Sequence, residues 1–263
     1  MAYRVLSIGG SDSGGSAGIQ ADLKTLTALG VFGMTAITVV TAQNTYEVTA
    51  SRPMHLEFVE AQIDTVLQDI GADVIKTGLL AQLDIIRMVS TKVRGIPCVV
   101  DPVLVNGHGR PIVSDDAVNA YRNMLFPEAT VITPNLDEAA VLARMETITS
   151  TNGMRQAAET LFELGCPNIL IKGGHLDDES MTDLFYNGKT FEIFNVPRLP
   201  VNNPHGVGCT LASAIAAFLA RGLEPIDAVT DAHKYLHYAL KASLDWQLGK
   251  GRPPVNHFWD IGH

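Results

Sequence analysis

Cysteine is scarce and scattered. The 263-residue chain holds three, Cys98, Cys166 and Cys209. The number is odd and no Cys-x-x-Cys pair occurs, which argues against a disulfide framework or a cysteine zinc site and for a reducing, cytoplasmic setting. Positive charge is also short: 19 Lys and Arg stand against 28 Asp and Glu, a formal net charge of -9. That excludes a broad surface for nucleic acid or anionic membrane. An anionic ligand would have to be met locally, by helix ends, a few lysines or a bound cation. No signal-peptide core is present, since only Val5-Leu6-Ser7-Ile8 precede the first glycines. The uncharged run Thr25–Tyr46 contains six threonines, two glycines, Gln43 and Asn44. It reads as a helix end, a turn at Gly30 and a strand rather than a membrane span. Two phosphate signatures are missing as well. The first loop lacks Gly-x-Gly-x-x-Gly, and no Gly-x-x-x-x-Gly-Lys-Ser/Thr occurs in the chain, which disfavours a dinucleotide fingerprint, a nicotinamide reductase and a P-loop.

What is present is a regular alternation. Short β-rich runs fall at Arg4–Ile8, Thr35–Val40, Val74–Lys76, Cys98–Val100, Thr130–Thr133 and Asn168–Ile171. Helical patterns lie between them, at about 16–29, 56–70, 80–94, 114–124, 136–144 and 152–164. Several strands are apolar throughout, as in a parallel sheet covered on both faces. The order predicts a doubly wound α/β fold with a mostly parallel sheet. Leu184-Phe185-Tyr186 and Thr190–Phe194 flank Asn187-Gly188-Lys189, so a late antiparallel hairpin is expected. A long helix is expected over about 224–248. With 46% hydrophobic residues, no repeats and no linker, residues 1–263 read as one domain.

Ligands of such sheets sit beyond the C-terminal ends of the strands, and polar clusters follow every predicted strand. The first is Gly9–Gly18, readable as a loop closing over a small substrate or as a plain mobile loop. Asp22 follows on the first helix, either solvated or reaching a ligand. Gln43 and Asn44 end the second strand. An amide that donates and accepts at once suits the edge of a heterocycle, while polar turn formation is the plainer alternative. Asp101 before Pro102 and Glu138 in a first helical turn suit Mg2+, with water and phosphate oxygens completing its shell; for Glu138, helix-start preference is the plainer alternative. Lys172 before Gly173-Gly174 suits a phosphate, with the glycines allowing close approach. Lys76 before Thr77-Gly78 invites the same reading more weakly. His175 and His205 can make polar contacts or serve as structural hydrogen-bonding groups.

The most informative segment is Pro204-His205-Gly206-Val207-Gly208-Cys209-Thr210-Leu211. Glycines free the backbone where a helix begins, and Gly222 can stop that helix. Open N–H groups and the helix dipole make an anion cradle. Cys209 lies among those amides, where a thiol loses its proton more readily than a free one. An ionisable group beside an anion hole suits phosphoryl transfer to an alcohol, although a tight turn with a buried cysteine explains the same residues.

Taken in order, Gly9-Gly10-Ser11-Asp12-Ser13-Gly14-Gly15 with Ala17–Thr25, Thr41-Ala42-Gln43-Asn44-Thr45, Lys76-Thr77-Gly78, Val100-Asp101-Pro102-Val103, Thr133-Pro134-Asn135 with Glu138, Lys172-Gly173-Gly174-His175, the Gly206–Cys209 segment and Pro254–Phe258 resemble the hydroxymethylpyrimidine/phosphomethylpyrimidine kinases of thiamin biosynthesis. These enzymes are members of the ribokinase-like superfamily. The resemblance spans nearly the whole chain. It implies a three-layer α/β/α sandwich, usually dimeric. It also implies transfer of the ATP γ-phosphoryl group to the hydroxymethyl of 4-amino-5-hydroxymethyl-2-methylpyrimidine, and then to its monophosphate. Gln43 and Asp22 would bind the pyrimidine, with Ala17, Val103 and Leu79 lining its site. Gly206, Val207, Gly208 and Cys209 would form the anion hole, with Cys209 as base. Lys172, Lys76 and Asn135 would meet the nucleotide, and Asp101 and Glu138 would serve Mg2+. Three departures stand out. Val207 replaces a common Thr, Leu79 a common Met, and Asn106-Gly107-His108-Gly109 a Lys or Thr-Ser stretch, which bears on the second transfer. Pyridoxal or pyridoxine kinase and a non-catalytic pyrimidine sensor are the competing readings.

Overall fold

The computed structural model describes residues 2–105, 112–174, 180–200 and 204–260. Asn106–Gly109 and His175, singled out above, lie outside the described residues. In chain order the elements are β1 (Arg4–Asp12), α1 (Gly18–Ala28), β2 (Phe32–Gln43), β3 (Val48–Pro53), α2 (Leu56–Asp69), β4 (Val74–Thr77), α3 (Leu83–Lys92), β5 (Cys98–Val100) and α4 (Asp115–Ala120). They continue as β6 (Val131–Ile132), α5 (Leu136–Ala143), α6 (Thr151–Glu163), β7 (Ile169–Ile171), β8 (Ser180–Tyr186), β9 (Phe191–Pro197), α7 (Val207–Ala220) and α8 (Pro225–Lys241). The chain divides into two compact units, 1–80 with 199–263, and 81–198.

In the first unit the strand order is β3-β2-β1-β4. β1 runs parallel to β2 and to β4, and β3 pairs antiparallel with β2. In the second unit the order is β5-β6-β7-β8-β9, parallel through β7 and antiparallel from β8 onward. The α/β alternation, the parallel sheet and the late hairpin therefore stand as the sequence predicts. β4, β5 and β7 are buried at every position, which accounts for the unbroken apolar character of β5 and β7.

Four features differ from expectation. β1 runs to Asp12 and β2 to Gln43, so Gly9–Asp12 of the expected first loop are strand, paired as far as Asp12 with Thr41. β3 had no signal in the sequence, because all six of its residues are exposed and it depends on its partner rather than on a hydrophobic face. α8 ends at Lys241, not near 248: the Ser243 hydroxyl donates to the Leu240 carbonyl and the chain turns there. α7 goes further than its N-terminal cradle suggests, since Thr210–Ala217 are buried on all sides.

The most consequential difference concerns Asp22 and Lys76. Asp22 on α1 is wholly buried and Lys76 on β4 is 1% exposed. The Lys76 ammonium lies 2.9 Å from both Asp22 carboxylate oxygens. Ser7 Oγ on β1 donates to Oδ2 at 2.6 Å, and Ser213 Oγ on α7 donates to Oδ1 at 2.7 Å. Two charges can be buried together only with such pairing and saturation. Neither a pyrimidine contact by Asp22 nor a phosphate contact by Lys76 survives this burial; together they form an internal strut joining β1, α1, β4 and α7. Asp22→Asn would strand the ammonium. It is expected to cost about 3–5 kcal/mol in urea denaturation, whereas the double replacement with Lys76→Met should recover at least half of the loss. A cost below about 1 kcal/mol for the single variant would contradict the strut.

Candidate active site

Two clusters of functional side chains stand at strand and helix ends, one in each unit. In the first unit, Gly206 caps α7 with φ 88° and ψ 3°, and no side chain caps the helix. The residue must be glycine, because a Cβ there would run into the Ser16 carbonyl oxygen. The first-turn amides of Val207 and Gly208 receive no side-chain cap, and residues 207–209 are partly exposed. Cys209 is the third helical residue, one turn before the Ser213 that grips Asp22. Thr210 braces the turn: its hydroxyl donates to the Gly206 carbonyl at 2.8 Å and stands 3.0 Å from His257 Nε2. With its one proton used, that hydroxyl accepts from an Nε2–H, which fixes the His257 tautomer. Burial pushes His257 down to about 4, aided by the charge of Lys24, so it stays neutral at this post. No local pattern marks this histidine near the C-terminus as a support for the cradle.

The first loop is held, not loose. The Asp12 carboxylate, 3% exposed, accepts from Gly14 N at 2.8 Å, Ser16 N at 3.0 Å and Ala17 N at 2.9 Å. An Asp followed by Ser-Gly-Gly-Ser is the local signal for such a clamp. Ala17 ends the loop as the N-cap of α1. Gln43, half-buried at the last residue of β2, has its side-chain nitrogen 2.6 Å from His205 Nε2. Leu79 is half-buried, and its carbonyl accepts from Thr38 Oγ1 at 2.6 Å.

The second unit brings Asp101, Glu138 and Lys172 together. Lys172 Nζ meets Asp101 Oδ1 at 2.9 Å, and Thr133 Oγ1 adds a contact at 3.3 Å. Asp101 and Glu138 are 3% and 4% exposed. Glu138 and Asn135 form a reciprocal capping box on α5. Helix-start preference is thus realised, and the Asn135 side-chain oxygen is taken up by it. Desolvation pushes the Glu138 carboxyl up to about 7. The Asp101 charge adds to that push, while Lys172 and the amides of Asn135 and Leu104 oppose it. Among the described residues, no three His, Cys, Asp or Glu side chains converge as a metal site. Val103 is half-buried beside Asp101, whose carbonyl accepts its N–H at 3.0 Å. One expectation is corrected: Gly173 is required by the Thr182 carbonyl, which a Cβ would strike, rather than by an approaching ligand.

A family model described as phosphomethylpyrimidine kinase matches residues 12–256. The chain is similar to the hydroxymethylpyrimidine/phosphomethylpyrimidine kinase of Rhizobium meliloti, at 45% identity over 255 residues and 96% of each chain. It is similar in structure to Bacillus subtilis pyridoxal kinase in an ADP complex, with TM-score 0.92, 35% identity and 98% of each chain covered. It is also similar to Staphylococcus aureus pyridoxal kinase in complex with AMP-PCP and pyridoxal, with TM-score 0.90, 35% identity, and 98% of this chain and 94% of that one covered.

The raised Glu138 carboxyl has a consequence for stability. Its ordinary value is 4.5, so between about pH 4.5 and 7 the folded protein holds more protons than the unfolded chain. Stability contributed by this group is present below that window and lost as pH rises through it. Without added cation, urea midpoints should fall from pH 5 to 7.5, by at most about 3 kcal/mol in free energy. Glu138→Gln, which preserves the capping box, should flatten that slope. An unchanged slope in the variant would assign the effect to other groups.

Proposed function

The chain belongs to the phosphomethylpyrimidine kinase family, and on that premise we propose that it phosphorylates 4-amino-5-hydroxymethyl-2-methylpyrimidine from ATP, and then the resulting monophosphate, for thiamine biosynthesis. The observation that carries this reading is the uncapped first turn of α7 with Cys209 inside it. The amides of residues 207–209 face the place where a transferring phosphoryl group gathers negative charge. Cys209 takes the substrate hydroxyl proton on Sγ while the substrate oxygen bonds the γ-phosphorus and the bond to ADP breaks. A helix N-terminus favours the thiolate that this role needs. Gln43 reads the aminopyrimidine edge, and Ala17 and Leu79 supply apolar contact.

The nucleotide side is assigned to the second unit. Lys172, 16% exposed at its side chain, offers its ammonium to phosphate while still paired with Asp101. Asp101 and Glu138 present hard oxygen donors, and the cluster of two carboxylates and one ammonium lacks one positive charge. That donor set fits Mg2+, which keeps waters and takes phosphate oxygens besides one or two carboxylates. When bound, the ion would neutralise charge on the phosphates. Both units serve one kinase domain, and a homodimer in the cytoplasm is part of the proposal. Val207 keeps the backbone N–H that the cradle uses, so replacement of the usual Thr removes only a hydroxyl.

A second reading, pyridoxal kinase, is favoured by the two solved neighbours. Side-by-side rates with the pyrimidine alcohol and with pyridoxal under Mg-ATP decide it. The pyrimidine is expected to give the higher kcat/KM, with diphosphate accumulating; a higher value for pyridoxal reverses the assignment. Turnover of neither, with pyrimidine binding retained, would indicate a sensor. Cys209→Ala should lower kcat by at least about 100-fold, as expected for loss of a general base, with KM little changed. Unchanged turnover removes Cys209 as base.

A further inference from the structure

The sequence offers His205 as a polar contact or a structural hydrogen-bonding group, and its contact with Gln43 gives it a specific role. Gln43 can read a heterocycle only if its amide points one way. An aminopyrimidine presents a ring nitrogen that accepts beside an amino group that donates. The glutamine must set its N–H against the first and its oxygen against the second; the reversed amide opposes donor to donor and acceptor to acceptor. Something must therefore hold the amide against rotation.

Among the described residues, Thr41 and His205 touch it. Thr41 Oγ1 lies 3.3 Å from Gln43 Oε1, but the same hydroxyl lies 2.9 Å from the Ser11 carbonyl. One proton cannot serve both acceptors, and the shorter contact takes it. The remaining hold is His205 Nε2, 2.6 Å from the Gln43 nitrogen. A ring nitrogen there must accept, so the imidazole is neutral with its proton on Nδ1. Asp12 Oδ2, 3.9 Å from Nε2, pulls towards the charged ring. Burial, the larger effect, and the Arg252 charge pull the other way, and the net direction is downward from 6.5. Asp12 ends β1 and Arg252 lies in the C-terminal tail whose Pro253 carbonyl binds the His205 amide at 2.8 Å. His205 is 21% exposed at its side chain.

We propose that His205 is a positioning residue that fixes the orientation of the Gln43 amide and so sets preference for an aminopyrimidine over alcohols lacking that edge. The inference rests on the reading of Gln43 as the pyrimidine contact. Protonation of His205 would turn Nε2 into a donor, reverse the amide and weaken pyrimidine binding in acid.

The test is a double-mutant cycle with both alcohols under Mg-ATP. His205→Ala should raise KM for the pyrimidine alcohol about tenfold, leave kcat within about twofold, and change KM for pyridoxal by less than about threefold; a tenfold change corresponds to about 1.4 kcal/mol, in the range of one buried hydrogen bond. In a Gln43→Ala background the same change should add nothing. If Gln43→Ala alone leaves pyrimidine KM unchanged, the Gln43 assignment fails and this inference with it. If Gln43→Ala raises KM but His205→Ala multiplies it equally in both backgrounds, only the positioning role fails. A drop in kcat at constant KM likewise overturns positioning. Should His205→Ala unfold, calorimetric binding of the pyrimidine alcohol to the unaltered chain decides. Affinity should fall between pH 7 and 5 by more than it does in Gln43→Ala, which reports the ligand's own titration; equal slopes refute the switch.

Discussion

A single buried ion pair fixes the geometry on which the first unit depends. Asp22 and Lys76 are both sealed from solvent, and the aspartate is saturated by the ammonium and two serine hydroxyls. Four elements meet at this point: β1 through Ser7, α1 through Asp22, β4 through Lys76 and α7 through Ser213. Hydrophobic contact alone tolerates sliding, because it has no direction. A saturated carboxylate does not, because displacement of any donor by a fraction of an ångström exposes an unpaired charge in a dry interior. Ser213 and Cys209 are four residues apart on α7 and so share a helix face. Through that spacing the strut sets both the height and the rotation of the cradle's thiol.

The second cluster works by the opposite device. Asp101, Glu138 and Lys172 are close and mostly buried, but their charges do not cancel. The Glu138 carboxyl is pushed up to about 7, so near neutrality it is divided between its two protonation states. A structural cluster would relieve such a cost with another donor, as Asp22 does. Such retained imbalance is what the proposed cation would relieve. The capping box explains why a glutamate stands at Glu138 but not why it is buried beside a second carboxylate; helix formation requires only the first.

The legible part of the site was the part written in local sequence. Gly206–Cys209, Asp101-Pro102, Glu138 after Asn135, and Lys172 at the end of β7 each lie at an element boundary that short-range pattern reveals. The α/β alternation was visible for the same reason. Asp22 and Lys76 were misread because their meaning lies in partners 54 and 191 residues away from Asp22, and no local signal distinguishes a strut carboxylate from a ligand-facing one. β3 was invisible because an exposed edge strand carries no alternation. The Asp12 clamp was within reach: a carboxylate ahead of a run of glycine and serine amides is a turn-forming unit, and it makes an ordered arm of what composition suggested was a mobile loop.

Since pyridoxal kinases share this scaffold so closely, the scaffold itself cannot decide between vitamin alcohols. An anion cradle and a phosphate lysine act on the phosphoryl group, which every such substrate receives alike, and they contribute equally to each transition state. Discrimination needs contacts that differ between the rings. Apolar walls discriminate weakly, since a methylene more or less is worth only about 1–3 kcal/mol. A polar group that must pair with the substrate discriminates far more, because the wrong ring leaves it unsatisfied. In the first unit the proposed reading makes Gln43 such a group at the end of a strand, and its value would depend on being held one way round. Under the proposed positioning role, a neutral His205 would be a specificity feature: burial outweighs the pull of Asp12, and a ring that accepts would hold an amide able to read either pattern in the one that reads a pyrimidine.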